Sequence, residues 1–269
     1  MRNNAPIGIF DSGIGGLTVA HAIKKELPNE HLIYFGDTAH LPYGDKSTAT
    51  IQAYAIKIAD FFLQQNCKVI VIACNSASAA ANDLLKEYVA TKATIINVIE
   101  PMVDFVVKNE AGRTVGVIGT KQTVYSDIYS RSIQSINSKI QVKSLATPLL
   151  VPMIEEGFLH NRIAHDIIEK YLGDDAISNI DSLVLGCTHY PLIKEELSEF
   201  YKNQVNILDS SIITAQFLKK FLTSSGLLTT STEVGNNQFY VSDLTDSFEH
   251  SAKLFFGEPV VLEKHQLWE

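Results

Sequence analysis

Long apolar runs, a surplus of positive charge and enough cysteine for a disulfide framework are all missing from this sequence. No stretch approaches the run of about eighteen apolar residues that a membrane span requires. The N-terminal run at 7–10 is broken by Asp11, too soon for the core of a secretion signal. Lysine and arginine number 22 against 30 aspartates and glutamates, a formal net charge of −8 with no basic cluster. That balance argues against nucleic acid and against anionic membranes as partners. Cys67, Cys74 and Cys187 are too few and too widely spaced for a disulfide framework, so a reducing cytoplasm is the expected setting and any special cysteine acts there as a thiol. With 46% hydrophobic and 19% charged residues over 269 positions, and no repetitive tract, the chain reads as one large or two small globular domains.

What the sequence does contain is an alternation. Short, largely β-branched runs at 7–10, 32–35, 69–73, 95–98, 115–118, 140–144, 182–185 and 205–208 alternate with helix-like stretches such as 17–27, 51–66, 79–89, 122–136, 161–172 and 192–201. Fully apolar strands separated by helices predict an α/β fold with parallel sheets covered on both faces. Ligands of such sheets gather at the carboxyl ends of the strands. The chain also repeats itself: VIVIACNSAS at 69–78 parallels SLVLGCTHYP at 182–191, and IGIFDSGIGG at 7–16 parallels VGVIGTKQTV at 115–124, with offsets of 113 and 108 residues. Two similar α/β units, each with one strand-end cysteine, would let a pseudo-twofold axis bring those cysteines face to face.

Cys74 stands between a strand and a helix that Asn75 or Ser76 can cap. Unpaired amides and the helix dipole favour thiolate there, so its pKa is expected to fall from the usual value of about 8.5 towards neutrality. The competing assignment is a small apolar core residue. Cys187 is followed by Thr188, His189, Tyr190 and Pro191, the proline suited to a first helical turn. His189 can share a cavity with the sulfur, as an acid or as the partner of a thiolate, or it is a structural histidine. Cys67 sits in a helix-to-strand loop and reads as structural.

Asp11 ends the first run, and Gly13, Gly15 and Gly16 after it allow a tight turn with amides open to an anion. The loop has neither the GxGxxG pattern nor a P-loop lysine, so a small carboxylate suits it better than a nucleotide. Asp11 is then a charged helper or a helix cap. The turn-rich stretch 36–44 should lie at the same sheet end, and the carboxylates at 155 and 156 read as a solvated helix end. Two strand-end cysteines, flanked by Asn/Ser and Thr/His beside Asp11, suit a reaction that removes a proton from one face of a carbon and returns it to the other. Two thiols reaching one carbon at about 3–3.5 Å each would stand too far apart for a disulfide.

These residues resemble the glutamate racemases of the aspartate/glutamate racemase superfamily. The likeness runs through GIFDSGIGGLTV at 8–19, YFGDTAHLPYG at 34–44, ACNSASA at 73–79, VIGT at 117–120 and LGCTHYPL at 185–192. It implies a cofactor-independent isomerase without a metal that supplies D-glutamate for peptidoglycan. In it Cys74 takes the α-proton of D-glutamate and Cys187 that of L-glutamate, assisted by Asp11 and His189. Substrate contacts are implied at Asp11, Ser12, Pro42, Tyr43, Gly44, Asn75, Ser76, Thr120, Thr188 and His189. The resemblance also implies two α/β domains, 1–97 plus 208–269 and 98–207, with the active site between them, and a homodimer as one mode of association. Cys74-Asn75-Ser76 departs from the family's usual Cys-Asn-Thr, keeping the hydroxyl and losing a methyl. Without pyridoxal phosphate to spread the carbanion's charge, Asn75, Thr188 and strand-end amides must stabilise an enolate-like carboxylate in a dry cavity. The residues leave two alternatives open: a racemase of aspartate or a related acid of the same superfamily, and a zinc hydrolase using Cys74, Cys187 and His189 as ligands; the resemblance alone adds a third, a non-catalytic regulatory role in which DNA gyrase is inhibited, which no sequence feature supports.

Overall fold

Each of the eight apolar runs becomes a strand in the computed structural model, which describes residues 2–268. They are β1 (Ile7–Asp11), β2 (Leu32–Gly36), β3 (Val69–Ile72), β4 (Thr94–Asn97), β5 (Thr114–Gly119), β6 (Gln141–Ala146), β7 (Ser182–Gly186) and β8 (Asn206–Asp209). Two further strands, β9 (Asn237–Val241) and β10 (Glu263–Lys264), lie outside those eight runs. The helices are α1 (Leu17–Glu26), α2 (Thr48–Gln64), α3 (Asn75–Val89), α4 (Ile99–Asn109), α5 (Lys121–Tyr125), α6 (Ile128–Ile136), α7 (Leu150–Glu155), α8 (Arg162–Leu172), α9 (Lys194–Phe200), α10 (Ser210–Ser224) and α11 (Asp246–Phe256).

Two sheets form, parallel in every pairing. Their strand orders are β10-β9-β2-β1-β3-β4 and β6-β5-β7-β8. Without β9 and β10 the two orders are the same, and the segments that repeat in sequence, β1 with β5 and β3 with β7, occupy equivalent places. The chain completes four strands of one sheet, builds the whole of the second, and returns to add β9 and β10 to the first. The expected division at 207/208 falls inside β8, where Leu208 pairs with Val184 of β7.

Strand side chains alternate between faces. Ile7, Ile9, Val69 and Val71 enter a core that also holds Val115, Val117, Leu183 and Leu185 of the second sheet. Phe10, Ile33, Phe35, Ile70 and Ile72 pack on the opposite face with Phe62, Ala77, Ala81 and Leu85 of α2 and α3. Asp11, one step beyond Phe10, therefore points towards the core shared by the two halves.

Two expected helices differ. The stretch 122–136 is divided into α5 and α6 at Asp127, whose φ of 54° lies in the left-handed region. The turn redirects α6 so that Tyr129 and Ile133 are buried. The stretch 192–201 becomes a 3-10 turn, Tyr190–Ile193, with Pro191 at its start, followed by α9.

Candidate active site

Ser12 follows β1, Cys74 lies just past β3, Thr120 follows β5 and Cys187 follows β7, so parallel strands deliver all four to one place. They open on a cavity of about 250 Å³ between the sheets, smaller than the sites that hold drug-sized ligands. Pro42, Tyr43, Gly44, Asn75, Ser76, Thr188 and His189 also line it. Asp11, expected to touch substrate, is fully buried and is not among the residues that line the cavity. Its carboxylate accepts hydrogen bonds from the Gly13 amide at 3.1 Å, from the Gly16 amide, and from the Thr188 hydroxyl at 3.4 Å. Burial raises its pKa, opposed by the charge of His189 and by these donors.

The glycine loop thus cradles Asp11 itself, where the sequence suggested a substrate anion. Its other purpose is close approach. A Cβ on Gly15 would lie 2.4 Å from the His189 ring, and one on Gly16 would lie 2.4 Å from Asp11 Cβ. The Thr18 hydroxyl donates to the Thr188 carbonyl at 2.9 Å, joining α1 to the loop that carries Cys187.

Cys74 is itself the N-cap of α3, with its sulfur accepting from the Ala77 amide at 3.4 Å, while Asn75 and Ser76 occupy the first turn. This replaces the expectation that one of those two caps the helix. The thiol donates to Ser12 Oγ at 3.7 Å. The expected fall in its pKa is reversed: burial, reinforced by the charge of Asp11, pushes the thiol up to about 12 against the Ala77 amide and the Ser12 hydroxyl. Desolvation of an anion in this cavity outweighs the helix end.

Cys187 has different company. His189 Nδ1 lies 3.8 Å from its sulfur, and His189 Nε2 donates to Glu155 Oε1 at 2.9 Å. Burial works against the imidazolium, but the Cys187 sulfur and then the Glu155 carboxylate overcome it and push His189 up to about 10. Glu155 ends α7 and lines the cavity, so the expectation of a merely solvated helix end is corrected for this residue. Its Met-Ile-Glu-Glu-Gly setting carries no signal that it meets a histidine 34 residues on.

Ser76 and Thr120, one from each half, share a hydrogen bond of 2.8 Å between their hydroxyls. The loop bearing Pro42, Tyr43 and Gly44 is held by Asp37, fully buried, which accepts from the Tyr43 hydroxyl at 2.6 Å, the Ser242 hydroxyl at 2.8 Å and the Trp268 indole at 3.0 Å. His40 Nδ1 lies 2.9 Å from the same carboxylate. Lys121 at the rim pairs with Asp45 across the halves at 3.1 Å. Asp37, Lys121 and Trp268 were not singled out from sequence; a lysine directly after Thr120 at a strand end was a usable signal, and nothing local marked Trp268.

Among the described residues, the one trio of His, Cys, Asp or Glu whose ligand atoms lie within 4.8 Å of one another is His165, Asp166 and Glu169, all exposed. Cys74, Cys187 and His189 are not brought together in the way the zinc alternative requires.

The model of the Asp/Glu/hydantoin racemase family matches residues 15–218. The glutamate racemase of Geobacter metallireducens is 41% identical over 251 residues, covering 93% of this chain and 92% of its own. That of Chlorobium phaeobacteroides is 42% identical over 251 residues, with the same coverage of 93% and 92%. The crystal structure of glutamate racemase from Francisella tularensis in complex with D-glutamate matches with a TM-score of 0.91 at 41% identity, covering 98% of each chain.

Proposed function

The chain belongs to the Asp/Glu/hydantoin racemase family, and from that premise we propose that it interconverts L- and D-glutamate with Cys74 and Cys187 as its two bases. The observation that carries the assignment is one sulfur from each sheet, at equivalent strand ends, opening on a single small cavity. In the L-to-D direction the Cys187 thiolate removes the α-proton, and the carbon's electron pair moves into the carboxylate as an enolate. The Cys74 thiol then gives its proton to the opposite face. In reverse the roles exchange. Burial favours the protonated form of Cys74, and the His189 imidazolium places a positive charge beside Cys187. Asp11, not among the lining residues, acts through Thr188 and the glycine loop; it is a positioning residue. The Asn75 side chain, Thr188 and the backbone amides of Asn75 and Ser76 at the start of α3, which have no acceptor within the helix, are donors for the developing enolate.

In this reading the reaction uses no pyridoxal phosphate and no metal, and D-glutamate leaves for peptidoglycan synthesis in the cytoplasm. None of the described helices is long and apolar enough to cross a membrane. The acidic balance is unsuited to nucleic acid. We draw the domains as 1–97 plus 208–269 and 98–207, with the second boundary inside β8, and take a homodimer as the working assembly. The aspartate alternative is weaker, because relatives matching over more than nine tenths of the chain are glutamate racemases.

The test is racemisation of L-glutamate in deuterium oxide without added cofactor. Deuterium should enter the D product while substrate recovered early stays largely unlabelled, since each face has its own base. Cys74→Ser and Cys187→Ser should each lower turnover by orders of magnitude, and Cys67→Ser should leave it unchanged. Near-normal turnover of either active-site variant, early labelling of the substrate, or faster turnover of aspartate would overturn the assignment.

A further inference from the structure

Of the buried side-chain polar atoms left without a partner among the described residues, Asn75 Nδ2 is the one that belongs to a residue lining the cavity. Asn75 is 2% exposed. Such an atom is costly unless a ligand completes it, and an N–H pair is the group that a substrate carboxylate accepts from. A carboxamide can also turn over about its last torsion, which is broad and two-fold, and would then present its oxygen instead. An oxygen facing a carboxylate repels it, so something must hold the amide one way round.

Tyr129 meets that need. Its hydroxyl donates to Asn75 Oδ1 at 2.7 Å, from α6 in one half of the molecule to α3 in the other. The ring is 2% exposed, and among the described residues Asn75 Oδ1 is the one acceptor its hydroxyl reaches. Turning the amide over would leave the buried O–H without an acceptor, so satisfying the tyrosine fixes Oδ1 on its side of the amide and Nδ2 on the other. Burial, with the nearby Cys187, raises the Tyr129 pKa well above its ordinary value, so the hydroxyl remains a donor across the working pH range. The left-handed turn at Asp127 is what brings Tyr129 inward, by ending α5 and redirecting α6.

We propose that Tyr129 is a positioning residue for this reaction, locking the Asn75 carboxamide with its N–H donors towards the substrate carboxylate. The inference rests on the glutamate reading above. Its test is Tyr129→Phe, which keeps the ring and removes only the hydroxyl, measured with both enantiomers of glutamate alone and in an Asn75→Ala background. With the lock gone, kcat/KM should fall about tenfold for both isomers, with KM carrying most of the change. In the Asn75→Ala background the same substitution should change kcat/KM by less than twofold, because no amide remains to be oriented; a general packing defect would multiply through. Should Asn75→Ala fail to fold, Asn75→Ser takes its place. A Tyr129→Phe enzyme within twofold of wild type, or a loss that persists undiminished in the Asn75 variant, would overturn the role of Tyr129 and leave the glutamate reading standing. A wild-type protein that does not racemise glutamate would overturn both.

Discussion

Glu155 and His189 are joined by a 2.9 Å hydrogen bond on the side of the imidazole ring away from Cys187, whose sulfur lies 3.8 Å from the other nitrogen. The carboxylate thereby helps to keep a cation beside a sulfur that must carry negative charge during turnover. Glu155→Gln keeps the shape and removes the charge. A hydrogen bond to a charged group is worth about 1.5–3 kcal/mol, so kcat/KM for L-glutamate should fall about ten- to a hundredfold. The alkaline limb of the pH profile, expected near pH 10 in the wild type from deprotonation of His189, should move to lower pH. An unmoved limb would show that Glu155 does not govern His189.

The same histidine links stability to pH. Its pKa rises from 6.5 to about 10 on folding, so the folded protein binds this proton more tightly than the unfolded chain. The stabilisation is complete below about pH 6.5 and is lost as pH rises towards 10. Above pH 9 the buried thiols Cys67 and Cys74 add to the loss, because only the unfolded chain ionises them there. Thermal midpoints between pH 6.5 and 9 should fall in the wild type and stay level in His189→Asn. A wild-type midpoint that rises through this window would contradict the sign.

Asp37 should matter through the loop it anchors. Asp37→Ala leaves the Tyr43, Ser242 and Trp268 donors without their acceptor. Each buried donor left unpaired costs about 1–3 kcal/mol; with water reaching some of them, a total loss of about 3 kcal/mol by chemical denaturation is expected. KM should rise as well, because Tyr43 lines the cavity. Trp268→Phe removes one donor and should cost about 1 kcal/mol.

Ser76→Thr introduces the residue that the resemblance to the glutamate racemases implies at this position. The hydroxyl that meets Thr120 at 2.8 Å is retained and the added methyl stiffens χ1. The expected change in kcat/KM is less than tenfold, about 1.4 kcal/mol of transition-state stabilisation. A larger loss would mean that this cavity is shaped around serine.

By itself the sequence determined the α/β class, the two-unit repeat and the strand ends at which the chemistry would be found. These follow from local pattern: short apolar runs alternating with helix-like stretches suit parallel strands buried on both faces, and Cys74 and Cys187 end equivalent runs. The tertiary structure decided whatever depended on a neighbour distant in sequence. Glu155 meets His189 because α7 ends against the turn that follows β7. Asp11 turns away from the cavity because strand alternation points it at the core, where the Gly13 and Gly16 amides already hold it. Burial of Cys74, with the charge of Asp11 beside it, favours the protonated thiol by more than the end of α3 favours the anion. Tyr129 and Trp268 act through single hydrogen bonds spanning 54 and 231 residues, and no local periodicity encodes a partner at such a distance.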